Sequence, residues 1–471
     1  MSATATTERK YLKWYQKLAY GSGDLASNCS YGLVSSFVLL YLTGTLGLDS
    51  AIIGSLMLAS KVLDGISDVI FGTLIDRTHS KLGKARPWML FGQVGVSLCL
   101  FLLFAIPAGS TTMQYIYFFI VYTALNAVFY TANGIAYSSL VALITKNNNE
   151  RVQLGSFRFM FAVVTNIFMG FAVTGMVEKF GSGAAGWRTT ALIFAIVGLV
   201  VNTISCLAVK ELPEEELSGN TSEAAEEGKA VAEEKKHGFA ETAKILVHNK
   251  YYLMILAIYI VYYIMSNLTT GAGVFCATYY WGDGSLLGQF SMMKMFPVNI
   301  IALAFAPVLI KKTGSMQKVN FWGYAISSVL GIPMIYFAMQ KNLSMFLLFM
   351  FIKGIFAGTL SGSLNALIAE ASGYTTRTTG VHMDGMMYRC SSLGVKVGGG
   401  IGTAAVGWLL KLGGFVGTAT VQSESAIRMI FNLYITFPFV IGIIITVLLA
   451  FLDVEKANKK WDAEHQKEAQ A

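Results

Sequence analysis

Charge is what this chain has least of. Only 13% of its 471 residues are Asp, Glu, Lys or Arg, against about 25% in ordinary soluble domains, while 54% are hydrophobic. So little charged surface excludes a soluble globular protein of this length. Proline is scarce, at 7 residues, so there are few places where a helix must break. The five cysteines (Cys29, Cys99, Cys206, Cys276 and Cys390) fall in or beside apolar runs, with no metal-ligand spacing. They read as small packing residues, and no disulfide is implied. Five scattered histidines offer no metal cluster and no nucleophile–base pair, which argues against a membrane enzyme. Residues 1–19 carry Arg9, Lys10, Lys13 and Lys17, and no small-residue cleavage site closes the first apolar run, so no cleavable signal peptide is expected.

What the chain has instead is long apolar runs. Twelve stretches of spanning length centre near residues 34, 63, 97, 128, 166, 198, 263, 299, 327, 358, 396 and 440, and a bilayer crossing needs about 20 residues each. Their length and continuity exclude a β-barrel. The expected fold class is an all-α polytopic membrane protein with twelve transmembrane helices.

The net charge of +8 follows topology and signals no nucleic-acid partner. With both termini cytoplasmic, only Lys179, Arg188, Lys341, Lys411 and Arg428 of the 35 basic residues fall on the far side. Lys61, Arg158, Lys294, Lys353, Arg389 and Lys396 lie in or at the edge of spans, so each is a site candidate, and the remaining 24 are cytoplasmic. That bias fixes the orientation by the positive-inside rule. The expected location is the cell (inner or cytoplasmic) membrane. The seven tryptophans, including Trp14, Trp88 and Trp187, sit at helix ends or flanks and read as interfacial anchors.

One long polar interruption, rich in Glu, Ala and Lys, divides the apolar runs six and six. The expected organisation is a cytoplasmic N-terminal segment (1–19), a first six-helix half (20–209), a cytoplasmic linker (210–248), a second six-helix half (249–452) and a cytoplasmic tail (453–471). Two six-helix halves are the layout of major-facilitator transporters, whose substrate site lies near the midplane. A faint internal echo relates the loop Asp76–Arg86 to Lys312–Lys318.

Asp64 and Asp68 stand out most. They lie four residues apart within an otherwise apolar span, so a helix puts both on one face. A charged side chain at the bilayer centre costs roughly 2.5–3.5 kcal/mol on insertion scales, and such residues by default mark an ion or proton pathway. Lys61 extends the stripe by a turn, and the competing reading is a salt-bridged stripe inside the bundle.

The run Lys61-Val-Leu-Asp-Gly-Ile-Ser-Asp68, with Gly72, Asp76-Arg-Thr78, Gly83-Lys84 and Arg86-Pro-Trp88, resembles the glycoside–pentoside–hexuronide:cation symporters, the melibiose permease-like family of the major facilitator superfamily. The match continues in Gly21-Ser-Gly-Asp24, Glu150-Arg-Val-Gln-Leu154, Arg158, Thr379-Gly-Val-His-Met-Asp-Gly385 and Lys396-Val-Gly-Gly399. The resemblance implies that Asp64 and Asp68 bind the coupling cation, with Thr131 as a neutral ligand and Ser67 beside them. It implies that Asp24 and Arg158 bind sugar hydroxyls and that Lys396 is a polar group of the cavity. Asn133, Tyr137 and Ser392 join these as substrate candidates, Tyr137 as a stacking platform. Ser67 replaces an asparagine of melibiose permease and Gly134 replaces an aspartate, so the chain is nearer the pentoside and hexuronide branches. The coupling ion is a proton or sodium, with Ser67 favouring the proton, and no other cofactor or metal is expected. Arg77, Lys84 and Arg86 belong with the positive-inside signal, but Asp76 does not, so these four form a candidate cytoplasmic gate.

The expected function is secondary import of a sugar or glycoside, possible pentosides and hexuronides included, with a monovalent cation. The expected partners are the sugar, the cation and the bilayer, and the protein is expected to be a monomer. The alternative is a uniporter or exporter of another small solute such as a lysolipid.

Overall fold

The computed structural model describes residues 9–213, 216, 246–380, 384–419 and 421–468. Residues 217–245 of the expected linker, and His382, lie outside the described residues. The described chain is helical, with no strand among the described residues. The helices are α1 (Trp14–Thr45), α2 (Ser50–Asp76), α3 (Arg86–Leu103), α4 (Thr111–Ile144), α5 (Asn148–Lys179), α6 (Gly183–Leu207), α7 (Lys250–Tyr280), α8 (Leu286–Thr313), α9 (Met316–Met339), α10 (Leu343–Thr379), α11 (Asp384–Leu412), α12 (424–451) and α13 (Val454–Glu468).

The helix starts are written in the sequence. Asp49, Ser110, Asn147, Asn249, Ser315 and Asn342 each accept a first-turn backbone N–H with a side-chain oxygen, satisfying donors that have no partner within the helix. Pro87 stands in the first turn of α3, where its missing N–H costs nothing. π-helical turns end α1 and α7 and interrupt α4, α8 and α12, among them Ala124–Tyr130 and Pro297–Ala302. Such turns are frequent at functional sites.

Among the described residues, eleven helix stretches are long and apolar enough to cross a membrane. The twelfth span, α2, is 27 residues long, about 40 Å at 1.5 Å per residue. Only composition disguises it, because Lys61, Asp64 and Asp68 lie inside it. Large apolar side chains face outward at many points, such as Val69, Phe91 and Phe451, each at least 70% exposed. Apolar exposure on this scale marks an interaction surface, and it fits a chain whose helices cross a lipid bilayer.

The chain forms two compact units. The first comprises Met1–Asn220 with Asp283–Gly288 and Leu410–Ser423; the second comprises Thr221–Gly282, Gln289–Leu409 and Glu424–Ala471. Within the first, Tyr20, Met89, Tyr137, Leu140 and Leu154 form a core. Within the second, Ile255, Tyr324, Leu360, Leu367 and Leu449 do the same. Helix α1 begins six residues before the expected start of the first half, and Lys17 inside it is buried. It pairs with Glu150 at 3.0 Å and donates to Gln153 at 2.8 Å, so it is a packing charge as well as a topology signal.

The faint loop echo acquires a physical basis here. Glu211, just after α6, accepts the backbone N–H groups of Lys84, Ala85 and Arg86 at the start of α3, at 2.7–3.0 Å. Glu455, just after α12, accepts those of Met316 and Gln317 at the start of α9, at 2.8 and 3.1 Å, and the Ser315 hydroxyl. In both units a carboxylate beyond the sixth helix caps the third, where the helix dipole favours negative charge. Gly83 is needed for this. Its φ is +109°, and a Cβ there would sit 2.4 Å from the Glu211 carboxyl carbon.

Candidate functional site

The acidic stripe of α2 meets α4 at Asp64. Asp64 is 8% exposed, and the Thr131 hydroxyl donates to its Oδ1 at 2.6 Å. Thr131 follows directly on the π-helical turn of α4, and the same hydroxyl lies 2.9 Å from the Asn126 carbonyl. Its proton is therefore shared between two oxygens. Lys61 Nζ lies 3.6 Å from Asp64 Oδ2 and 6.0 Å above the Tyr31 ring. Tyr31 in turn stacks on Tyr130 with centroids 5.6 Å apart. The salt-bridged stripe is therefore present, and a carboxylate–hydroxyl pair stands beside it. Ser67 Oγ donates to the Asp64 carbonyl at 2.9 Å, so its proton serves its own helix, leaving lone pairs on the oxygen. Asp68 is half-buried one turn further along α2.

A second polar group joins α1, α4 and α5. Arg158 Nε donates to Asp24 Oδ2 at 2.7 Å, and its guanidinium lies 4.1 Å from the centroid of the Tyr137 ring. Tyr137 is held from below: its hydroxyl donates to the Tyr20 carbonyl at 2.7 Å, and the Tyr20 hydroxyl donates back to the Tyr137 carbonyl. The close approach of α1 explains the glycines before Asp24. A Cβ on Gly23 would sit 2.8 Å from the Tyr137 ring and from Ser205 Oγ, and one on Gly21 would sit 2.6 Å from Phe157 Cβ. One turn along α1, the Asn28 amide donates to the Asp24 carbonyl at 2.7 Å, and Asn166 of α5 donates to Asn28 at 2.8 Å. Asn28, Asn166, Tyr31 and Tyr130 were not foreseen. Each is an ordinary polar or aromatic residue whose neighbours come from other helices, so spacing gave no signal.

Several expected residues do other work. Asn133 is buried, and its amide donates to the Met89 carbonyl at 2.8 Å, where Asn202 also donates at 2.9 Å. It ties α4 to α3 and α6 instead of presenting itself to a substrate. Tyr137 is 2% exposed, so it supports Arg158 and has no free face for stacking on a sugar. Arg86, expected at a gate, is buried and donates to the carbonyls of Cys206 and Leu82; it closes the α3–α6 joint. Asp76 and Arg77 are exposed at the end of α2, and Lys84 is half-buried. Trp187, expected as an interfacial anchor, is buried and stacks on Phe104 at 5.7 Å. Lys396 is half-buried and Ser392 exposed, one turn apart on α11 in the second unit.

The model of a family described as MFS/sugar transport protein matches residues 19–456. The chain is similar to the isoprimeverose transporter of Lactiplantibacillus pentosus, 26% identical over 98% of this chain and 93% of that protein. It is also similar to a putative glycoside/cation symporter of Escherichia coli, 23% identical over 94% and 92% of the two chains. Among solved structures it shares the fold of a bacterial homolog of the human lysosomal transporter Spinster, with a TM-score of 0.64 at 13% identity over 95% and 97% of the chains. Protein, fold and relatives agree on a secondary transporter of the membrane, not an enzyme: the chain belongs to the MFS/sugar transport protein family.

Proposed function

We propose that the protein imports a sugar or glycoside together with one monovalent cation, a proton or sodium, by alternating access, in the cell membrane with both termini cytoplasmic. The observation that carries this reading is Asp64, a buried carboxylate inside a span that accepts the Thr131 hydroxyl at 2.6 Å. Carboxylate and hydroxyl oxygens are the ligands hard monovalent and divalent cations prefer, and an ionisable group at this depth by default serves an ion or proton pathway. Asp68, one turn away, supplies the second carboxylate. Lys61 offsets the charge of Asp64 while no cation is bound.

Asp24 and Arg158 form the sugar contact. With Nε engaged, the guanidinium keeps further N–H donors, and Asp24 keeps acceptor capacity on its second oxygen. Charge-assisted hydrogen bonds are roughly twice as strong as neutral ones, which suits a ligand made of hydroxyl groups. The names of the two relatives, an isoprimeverose transporter and a putative glycoside/cation symporter, support a glycoside. A membrane potential of about 100 mV is worth roughly 2.3 kcal/mol per charge moved, or about fifty-fold accumulation of a neutral sugar.

The test is uptake of a panel of labelled sugars into vesicles under imposed proton or sodium gradients. Concentrative uptake driven by one gradient, lost in Asp64→Asn, is the expected result. Uptake that equilibrates but never concentrates under any gradient would replace symport with uniport.

A further inference from the structure

The second unit contains a cavity of about 150 Å³ that the sugar and cation assignments leave unused. Two lysines line it, Lys294 of α8 and Lys353 of α10, among Ser266, Thr269, Tyr324 and Tyr434. Lys294 Nζ donates to Thr269 Oγ1 at 2.8 Å, and that hydroxyl passes its own proton to the backbone of its helix at Met265 and Ser266. The contact is neutral and supplies no negative charge. For Lys353 the described residues give no ion pair or hydrogen bond.

Among the described residues, nothing acidic stands near enough to compensate the pair. No acidic residue lines the cavity. From α7 to α12 the acidic residues are Asp283, Glu370, Asp384 and Glu424. Asp283 is in the loop between α7 and α8, which belongs to the first unit, and accepts the Ser285 backbone N–H. Glu370 is 17 residues beyond Lys353 on the same helix, about 25 Å at 1.5 Å per residue, and it holds Asn458. Glu424 pairs with Arg428. Asp384 opens α11, which contributes none of the described lining residues.

Nor do the lysines sit where topology would put them. They lie 8 and 10 residues into their helices, about 12–15 Å from the start, near the middle of a hydrocarbon core about 30 Å thick. Leaving a buried charge without a partner costs several kcal/mol. Local geometry adds a further sign. The π-helical turn Pro297–Ala302 begins three residues after Lys294, and Gly354, next to Lys353, admits Pro297 so closely that a Cβ there would sit 2.8 Å from its ring.

We propose that this cavity binds one small monovalent anion, held between the Lys294 and Lys353 ammonium groups with the Ser266 and Thr269 hydroxyls beside it. The volume exceeds the roughly 10–15 Å³ a single water needs and falls below the about 300–1,000 Å³ of pockets for larger ligands. It suits a carboxylate group or a halide, not a whole disaccharide. The anion offsets one of the two buried positive charges, so its occupancy stabilises the second unit whether or not sugar is present.

The test uses the purified full-length protein in detergent, titrated with sodium acetate or sodium chloride at constant ionic strength made up with a bulky buffer anion, with thermal unfolding as the readout. A saturable rise in melting temperature with acetate alone identifies a carboxylate carried by an organic solute; a rise with chloride identifies an inorganic ion. Lys353→Met and Lys294→Met, similar in length and uncharged, should each weaken the half-saturating concentration at least ten-fold, while Lys353→Arg retains it. No saturable effect of either anion on the wild-type protein, or an unchanged effect in Lys353→Met, overturns the proposal. Because binding is read without transport, its failure is separate from any failure of the sugar–cation assignment.

Discussion

Replacing Thr131 with valine removes one hydroxyl and almost no volume, which makes it a sensitive probe of the cation site. In the protein that hydroxyl lies 2.6 Å from Asp64 Oδ1 and 2.9 Å from the Asn126 carbonyl. A hydrogen bond to a charged group is worth about 1.5–3 kcal/mol, which is about ten- to 150-fold in an equilibrium constant at 1.4 kcal/mol per decade. The direction depends on the ion. A hydroxyl that both donates to the carboxylate and offers a lone pair to sodium is lost as a ligand, so the half-saturating sodium concentration should rise about ten- to 150-fold. For a proton the sign reverses. Losing a donor to the ionised carboxylate favours its protonated form, so proton-driven uptake should saturate at a proton concentration lower by about the same factor. Thr131→Ser, which keeps the hydroxyl, should restore wild-type behaviour in either case. The assay is initial uptake into vesicles as a function of sodium at fixed pH and of pH without sodium, together with sugar affinity at saturating cation, which should stay within a few-fold. If Thr131→Val shifts neither titration, Thr131 is no part of the cation site and the reading of Asp64 with it fails.

Gly23→Ala should push Tyr137 from beneath Arg158, since its Cβ would sit 2.8 Å from that ring, and weaken sugar affinity about ten-fold or more, the cost of one charged hydrogen bond. Gly134→Ala, whose Cβ meets nothing within 4 Å, is the control and should bind normally; equal losses in both would refute the packing argument. Glu211→Ala and Glu455→Ala each strip backbone donors of an acceptor and should each cost about 1–3 kcal/mol, read as a lower melting temperature, with Gln at the same position recovering part of it. Asp76→Asn should alter turnover while leaving equilibrium sugar binding within a few-fold; wild-type turnover under all gradients would reduce the loop to an orientation signal. Burial opposes the charge of Asp49, but Lys411 at 2.6 Å and the N–H groups of Ala51 and Ile52 outweigh it and hold its carboxyl below the usual range. A depressed carboxylate stabilises above its unfolded value of about 3.9 and loses that contribution as pH falls through the folded value. The melting-temperature gap between wild type and Asp49→Asn should therefore be constant from about pH 7 to pH 5 and close only below about pH 4.

The class of protein was legible because a membrane imposes a one-dimensional rule. Each span must supply its own backbone hydrogen bonds and its own apolar surface, so α1 and α3–α12 read directly from runs of residues. The helix caps at Asp49, Ser110 and Asn249 are equally local, since a cap and its donors lie within three residues of each other. The α2 stripe was legible for the opposite reason: charge inside an apolar run costs so much that its presence implies a partner or a function.

What tertiary structure decided is which residue faces which. Thr131 and Asp64 are 67 residues apart, Arg158 and Asp24 are 134 apart, and no spacing rule relates them. The same holds where expectation failed. Asn133, Arg86 and Trp187 have the chemistry of a ligand contact, a gate and an interfacial anchor, yet each is consumed by a neighbouring helix whose approach the sequence does not encode locally. Glu211 and Glu455 make the point from the other side: two loops with almost no common sequence end in the same cap, because a helix start facing inward needs an acceptor and any carboxylate that reaches it serves. Lys294 and Lys353 were conspicuous as isolated charges in spans, but only the packing of α7, α8, α9, α10 and α12 puts them on one cavity with nothing acidic beside them. The sequence determined that these groups are buried; the fold alone determined with whom.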